Sequence, residues 1–318
     1  MKSRTRQRAV TSALVFALLS VFHAPGARGQ SAALSRVAFT PAPPAQAAQG
    51  PAAPSSKEAV VFGQKIHYQE AGSGPVVVLL HGLGGNTANW AFNVPALAQK
   101  FRVVVPDQIG FGRSDKPFIN YRVGTYVDFL DKFLSELKIE RASLVGNSMG
   151  GWVAASYALK HPARVERLVL VDAAGFAPPK EFDLGALSGL NPSTRDAMRQ
   201  LSALVFYDKA LFGSDAAVDV MLAARIGAGD GYTIERLVQS IHRAEDMLDG
   251  RLAAIKQPTL LIWGREDGLT PLAREGEKFK QGIPHAQLQV FEQCGHVPQV
   301  EKAAEFNAAV LKFLTATT

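Results

Sequence analysis

Short runs of consecutive apolar residues recur along the chain between residues 76 and 291. Continuous runs are typical of parallel strands that helices cover on both faces, whereas a strand with one solvated face alternates. Between several runs the apolar residues recur at helical spacing, as in 123–139 and 298–314. The pattern predicts an α/β fold with strands at 76–80, 102–105, 142–145, 168–171, 259–263 and 288–291.

Two further segments, 59–62 and 65–68, flank Gly63 and Gln64 and predict an antiparallel hairpin at one edge of the sheet. The chain has 318 residues, of which 47% are hydrophobic, so it can bury one large core.

The residues GNSMGG at 146–151 follow one predicted strand and precede a helical segment at 152–160. A strand, a sharp turn and a helix are what a nucleophile elbow requires, with the serine at its apex. Gly146 and Gly150 stand where side chains would collide with such a turn. We therefore predict that Ser148 is a nucleophile.

A serine hydroxyl needs a base to take its proton and an acid to orient that base, here in the chain order Ser, Asp, His. Among the seven histidines, His296 stands out because it follows a predicted strand and a glycine turn. Asp267 lies on the loop after strand 259–263, where ligands of parallel sheets gather. We predict His296 as the base and Asp267 as the acid.

Three other acidic residues are candidates for the same role. Asp172 closes strand 168–171 and can reach the same histidine, so it stays open as the alternative acid. Asp107 precedes the serine in the chain and is expected to order its own loop. Glu266 is expected to be a solvated neighbour of Asp267.

An oxyanion in this site needs backbone N–H donors. The residue after the nucleophile, Met149, supplies one, and the glycine-rich loop HGLGG at 81–85 supplies the other, which we assign to Leu83. His81 is expected to tether loops rather than to act in catalysis. Cys294 has no elbow around it and is expected to be a small buried residue.

Residues 57–318 resemble an α/β-hydrolase in five motifs that occur in the family's order. The resemblance implies a mostly parallel eight-stranded sheet flanked by helices and a triad of Ser148, Asp267 and His296. A serine at position 148 separates the chain from haloalkane dehalogenases and epoxide hydrolases, which carry aspartate there. Serine esterases and lipases remain, together with carbon–carbon bond hydrolases of aromatic ring-fission pathways. The motifs are HGLGG at 81–85, PDQIGFGRSDKP at 106–117, GNSMGG at 146–151, GREDGLTP at 264–271 and CGHVPQVE at 294–301.

The α/β-hydrolase core is expected at 58–176 and 252–318, interrupted by a segment too long for a simple crossover. Apolar residues at helical spacing in 177–251 predict a helical cap that sets substrate choice.

The N-terminus has the pattern of a secretory signal peptide at 1–29: basic residues, an apolar stretch from Ala9 to Phe22, and a small-residue cleavage site. A spacer rich in Pro and Ala is expected at 30–57. We therefore expect a secreted or periplasmic protein.

Removal of residues 1–29 takes away five of the 34 Lys and Arg residues and none of the 28 Asp and Glu residues, so the net charge falls from +6 to +1. The charge then gives no reason to expect a nucleic-acid partner. No metal-ligand spacing and no dinucleotide-binding or phosphate-binding loop occurs, so we expect no cofactor and no metal. A membrane or lipid surface is compatible with the sequence but not indicated by it.

The sequence favours an exported serine hydrolase that cleaves carboxylic esters with small to medium apolar acyl chains through an acyl-enzyme. The alternative is a carbon–carbon bond hydrolase of ring-fission diketones, whose acidic substrate would need a cationic cap residue such as Arg195, Arg199 or Arg225. A non-catalytic ligand-binding protein on the same scaffold is a further alternative.

Overall fold

A computed structural model describes residues 53–178 and 184–316. The signal peptide expected at 1–29 and the spacer as far as residue 52 lie outside these residues. Eight strands form one sheet in the order β1-β2-β4-β3-β5-β6-β7-β8. In chain order the strands are Ser55–Val61, Gln64–Ala71, Val76–Leu80, Arg102–Pro106, Ala142–Asn147, Val165–Val171, Thr259–Gly264 and Gln287–Phe291.

The sheet is mostly parallel, as predicted. β2 pairs antiparallel with both β1 and β4, while all neighbours from β4 across to β8 pair in parallel. Alternate residues of each central strand face opposite sides of the sheet. In β3, Val78 and Leu80 join one core cluster and Val77 and Leu79 join the other. Burial on both faces explains why the strands read as continuous apolar runs.

The N-terminal hairpin differs from its prediction in two ways. Its turn is Phe62-Gly63, one residue earlier than expected, and both residues have positive φ angles, 51° and 78°. This geometry is typical of two-residue hairpin loops, whose twist matches that of the strands. β1 also begins at Ser55, inside the segment assigned to the spacer, because its first residues pair with β2 up to Glu70.

Ten α-helices, α1 to α10, occur within the described residues. The helix predicted at 298–314 is two helices, because Lys302 leaves the helical conformation with φ −127° and ψ 39°. The helix predicted at 123–139 ends at Glu136, before Lys138 with its φ of 54°. The helices are Val94–Leu97, Val123–Glu136, Met149–Lys160, Arg195–Val205, Lys209–Phe212, Asp215–Gly227, Gly231–His242, Glu277–Gly282, Pro298–Glu301 and Ala303–Thr315.

The segment between β6 and β7 carries α4, α5, α6 and α7. The end of α4 is hydrogen-bonded to the loops after β7 and β8. Gly268 donates its N–H to the Leu204 carbonyl at 3.1 Å, and His296 donates its N–H to the Val205 carbonyl at 2.7 Å. Glu301 adds a link, since its carboxylate accepts from the N–H of Tyr207 at 2.9 Å and of Gly295 at 2.8 Å. We call this contact the cap anchor.

Across 53–178 and 184–316, the structure shows no helix with the length and apolar character that a membrane crossing requires.

Candidate active site

Ser148 stands between β5 and α3 with φ 56° and ψ −120°, a conformation that non-glycine residues rarely adopt. Such strain costs on the order of 1–3 kcal/mol and is held in place by the surrounding structure. A Cβ on Gly146 would lie 2.2 Å from the Gly150 carbonyl oxygen, and one on Gly150 would lie 2.2 Å from the Leu80 carbonyl oxygen. Only glycine fits at these two positions, as a nucleophile elbow demands.

Asp267 and His296 meet beside this elbow. Asp267 Oδ2 lies 2.8 Å from His296 Nδ1, and both side chains are buried. Asp267 Oδ1 accepts from the N–H groups of Leu269 at 2.8 Å and Thr270 at 3.1 Å. Burial alone would raise the pKa of Asp267, but the charge of His296 and the hydrogen bonds from His296 and Thr270 lower it to about 2. Asp267 is therefore an ionised acceptor at neutral pH.

The contact with Asp267 fixes the tautomer of His296 and so determines which ring nitrogen would be free to act as a base. An ionised carboxylate accepts only, so His296 Nδ1 carries the hydrogen and Nε2 keeps the lone pair that a base needs. The His296 carbonyl accepts from the side-chain amide of Asn147 at 3.0 Å, which ties the histidine loop to the residue before the nucleophile.

Two of the residues that position the site were not singled out from the sequence. Asn147 stands inside the GNSMGG motif, and Thr270 Oγ1 lies 2.6 Å from Asp267 Oδ2. The offset of three residues between Asp267 and Thr270 is a local signal, because an aspartate side chain often accepts from a backbone N–H a few residues later, as Asp267 does from Thr270. The Asn147 contact spans 149 residues of sequence and has no local signal.

The predicted oxyanion donors flank the nucleophile. Register pairs Leu80 of β3 with Gly146 of β5, so the loop that contains Leu83 leaves the sheet next to the elbow. A Cβ on Gly82, the residue before Leu83, would lie 3.1 Å from Ser148 Cβ. Met149 opens α3, where the first N–H groups have no acceptor within the helix.

His81 ties this loop to its neighbour. Its Nδ1 lies 2.8 Å from the Gly82 carbonyl, and its Nε2 accepts from the Gln108 N–H at 3.0 Å. Burial lowers the pKa of His81, which favours the neutral ring that both bonds require.

Asp107 belongs to a separate hydrogen-bonded chain. Its carboxylate accepts from Thr87 N–H and Arg113 N–H and lies 2.8 Å from His67 Nδ1, while His67 Nε2 lies 2.8 Å from Ser56 Oγ. Although this is also a Ser–His–Asp series, Ser56 lies in the extended strand β1 rather than at a turn before a helix. We interpret this series of hydrogen bonds as a tether that joins β1 and β2 to the loop after β4.

Asp172, the alternative acid, lies behind the triad. Within the described part of the chain, Asp172, Asp267 and His296 are the one group of potential metal ligands whose atoms lie within 4.8 Å of one another. His296 Nδ1 and Asp267 Oδ2 already bond each other at 2.8 Å, and this bond orients the imidazole ring. Cys294 is fully buried, and burial raises the pKa of its thiol, so it is an unreactive core residue.

The three candidate cationic residues have different surroundings. Arg195 is paired with Asp219 on the exposed surface, and Arg199 donates to Asp196 and Asp215 there. Arg225 is only 11% exposed and lies against the loop that contains Leu83. Its Nη1 is 3.4 Å from the Gly84 carbonyl, and its other nitrogen pairs with the buried Asp230.

Comparisons with known proteins agree with this architecture. Residues 75–303 match a protein family described as the alpha/beta hydrolase fold. The chain is 36% identical to the 2-hydroxymuconate semialdehyde hydrolase of Pseudomonas sp. (strain CF600), over 81% of this chain and 93% of that protein.

Two solved structures are also similar. The meta-cleavage product hydrolase from Pseudomonas fluorescens IP01 superposes with a TM-score of 0.73 at 32% identity, over 81% of this chain and 97% of that chain. A membrane phospholipase A, described as a bacterial virulence factor, superposes with a TM-score of 0.72 at 30% identity, over 82% of this chain and 86% of that chain. Together with the serine elbow, these similarities show that the chain belongs to the α/β-hydrolase family.

Proposed function

We propose that the protein is a carbon–carbon bond hydrolase of acidic ring-fission diketones. The observation that carries the proposal is its similarity to the 2-hydroxymuconate semialdehyde hydrolase, which extends over 93% of that protein. The similar meta-cleavage product hydrolase supports the same class of reaction. These similarities support the carbon–carbon bond hydrolase, the alternative that the sequence left open, over the ester hydrolase.

The triad can perform this reaction in two steps. His296 Nε2 takes the proton of Ser148 as Oγ adds to the keto carbonyl, and the N–H groups of Leu83 and Met149 hold the oxyanion. Collapse of the tetrahedral intermediate breaks the carbon–carbon bond, and the electron pair enters the conjugated second carbonyl as an enolate. His296 then returns its proton to the carbon atom of the enolate that was bonded to the attacked carbonyl. Water then adds to the acyl-enzyme with the same base, which frees an acid and Ser148.

Arg225 is our candidate for the group that binds the substrate carboxylate. Of Arg195, Arg199 and Arg225, it is the one that lies against the loop at 81–85, which contains Leu83 and which we call the oxyanion loop. Burial lowers the pKa of Arg225, but a guanidinium stays charged in proteins. Asp230 already pairs with Arg225, so a substrate carboxylate would share the guanidinium or compete with Asp230 for it.

The first test is turnover of a purified ring-fission diketone by the wild type and by Ser148→Ala. Turnover is monitored as the loss of the substrate's conjugated absorbance. We expect turnover that requires Ser148. The same preparations are assayed with p-nitrophenyl esters from acetate to palmitate. Efficient ester hydrolysis without diketone cleavage would contradict the proposal.

Arg225 is tested with the double variant Arg225→Gln/Asp230→Asn, because removing the arginine alone would leave Asp230 buried without its partner. Hydrogen bonds to charged groups contribute about 1.5–3 kcal/mol, so KM for the acidic diketone should rise at least about tenfold. Its monomethyl ester should be unaffected. The exposed Arg195→Gln is the matched control. An unchanged KM in the double variant would exclude Arg225 from carboxylate binding.

An exported ester hydrolase is the second candidate. The similarity to the membrane phospholipase A, at nearly the same TM-score as the meta-cleavage product hydrolase, favours it. The signal-peptide pattern at 1–29 is consistent with a protein that acts outside the cytoplasm. Including phosphatidylcholine vesicles in the ester series distinguishes this candidate, since a phospholipase releases fatty acid from them.

A further inference from the structure

A second carboxyl group, that of Asp172, is buried next to the triad acid. Asp172 ends β6 with a φ of 42° and is completely inaccessible to solvent. Its Oδ1 accepts from the Gly264 N–H at 2.9 Å, whereas its Oδ2 is buried and has no donor among the described residues. Carboxyl oxygens of Asp172 and Asp267 and a ring nitrogen of His296 lie within 4.8 Å of one another.

Two buried carboxyl groups within 4.8 Å of each other repel when both are ionised, so the arrangement favours a pair that holds one proton. The donors around the pair decide where it resides. Asp267 receives hydrogen bonds from Leu269 N–H, Thr270 N–H and His296, and the Thr270 hydroxyl lies 2.6 Å from it. Asp172 receives one, from Gly264 N–H. Asp267 receives more hydrogen bonds than Asp172, so the negative charge is more stable on Asp267. The proton therefore resides on Asp172.

We propose that Asp172 is a positioning residue of the triad: its carboxylic acid donates a hydrogen bond to the Asp267 carboxylate, and it takes over as the partner of His296 when Asp267 is neutralised. This inference rests on the Ser148 triad of the proposed function but not on the identity of the substrate. In accord with it, burial and the charge of Asp267 raise the pKa of Asp172.

Three other ionisable groups lie near this pair: Glu301, Cys294 and His296. Glu301, in α9, is a like charge that raises the pKa of Asp172 further. Burial raises the pKa of the Cys294 thiol, which stays neutral, and His296 faces the pair from the loop after β8.

The first test compares Asp172→Asn with Asp172→Leu. The amide of Asn can still accept from Gly264 and donate to Asp267, as the protonated acid does, whereas Leu can do neither. The readout is the rate at which a fluorophosphonate probe labels Ser148, measured from pH 5 to pH 10, with thermal unfolding as the folding control. We expect Asp172→Asn to stay within about threefold of the wild type and Asp172→Leu to lose at least about tenfold, as the loss of one charge-assisted hydrogen bond implies.

Two results would overturn the proposal. A loss of tenfold or more in Asp172→Asn would show that the ionised form of Asp172 is needed. A folded Asp172→Leu with the wild-type rate and pH profile would show that Asp172 does not position Asp267.

The second test compares Asp267→Asn with Asp172→Asn/Asp267→Asn. In the single variant Asp172 no longer faces a charged neighbour, so it can ionise and orient His296, and labelling should persist with its acid limb moved to higher pH. The double variant has no carboxylate beside His296 and should label at least about tenfold more slowly than the single variant. Equal rates in the two variants would refute the takeover.

These readouts separate this inference from the proposed function. If the wild type labels at Ser148 but does not cleave the diketone, the substrate proposal fails and the role of Asp172 is still tested. If the wild type does not label, the serine-hydrolase mechanism itself fails, and the proposed role of Asp172 fails with it.

Discussion

Some residues of this protein have conformations or charge states that are unfavourable for the isolated residue. Ser148 has a positive φ, and Asp267 is ionised although it is buried. Each is maintained by specific neighbours: Gly146 and Gly150 leave room for the turn, and Thr270 and His296 stabilise the carboxylate. The site is therefore sensitive to changes that add a single carbon atom or remove a single charge.

Gly146→Ala tests the close packing of the elbow. The new Cβ would lie 2.2 Å from a backbone oxygen that belongs to α3 and cannot move freely. Overpacking costs typically about 1–3 kcal/mol, so urea unfolding should show a loss of at least this size, together with a loss of Ser148 labelling. Gly227→Ala is the control, because no atom lies within 4 Å of its Cβ position. Equal stability of the two variants would refute the steric argument.

The low pKa of Asp267 predicts a pH dependence of stability. Because the folded-state pKa is about 2, against an ordinary value of 3.8, ionised Asp267 stabilises the fold above pH 4. This stabilisation, roughly 2 kcal/mol, should disappear as the pH falls through 2. The difference in unfolding free energy between the wild type and Asp267→Asn should therefore shrink from pH 5 to pH 2. A difference that does not vary with pH would contradict the assignment.

At the scale of elements, the cap anchor connects the segment between β6 and β7 with the loops that carry Asp267 and His296. Val205 in α4 accepts directly from the His296 N–H, and Glu301 bridges Tyr207 and Gly295. The orientation of the base consequently depends on where α4 ends.

Glu301→Gln tests the anchor. A glutamine has one acceptor oxygen where the carboxylate has two, so one of the two N–H groups would face an amide NH₂ group. Leaving a buried donor unsatisfied costs about 1–3 kcal/mol, but the Tyr207 contact is exposed and only Gly295 is buried, so we expect a loss of stability no larger than this, with faster amide exchange at His296. The control is Glu305→Gln, an exposed position in α10. Unchanged amide exchange at His296 in Glu301→Gln would show that the bridge does not hold the loop.

The elements could be predicted wherever one local signal dominates. Burial on both faces produces apolar runs, so the central strands were predicted within a few residues of their positions. The hairpin turn was predicted one residue late because nothing in the identity of Phe62 signals its positive φ. The break at Lys302 was missed because the apolar spacing continues through it. The cap anchor consists largely of backbone bonds between distant segments, which leave no pattern in the sequence.

At the scale of the whole molecule, the parallel sheet assembles the site. The loops after β3, β5, β7 and β8 carry Leu83, Ser148, Asp267 and His296, and parallel strands bring such loops to one edge. Chain order and loop position therefore predicted the contact between Asp267 and His296, whose side chains lie 2.8 Å apart. The position of Arg225 relative to the site was not predictable, since it depends on how the helices between β6 and β7 pack.

We also predict that residues 1–29 are removed from the whole chain on export. Intact mass analysis of the protein, expressed with its own N-terminus in a Gram-negative host, should give a periplasmic or secreted product that begins at Gln30. The product should carry a net charge near +1, and isoelectric focusing checks this. Full-length protein retained in the cytoplasm would contradict the prediction.

The cap anchor has a consequence for how substrate range can diverge among descendants of this protein. α4 shares hydrogen bonds with the histidine loop, so insertions or deletions near its end would disturb the base and be eliminated by selection. α6 buries only Val218 among its thirteen residues, and its last turn carries Arg225, which lies against the loop that contains Leu83. Substitutions at the exposed positions of α6 can therefore change which substrates are admitted while Arg225 and the loops of the site are inherited intact.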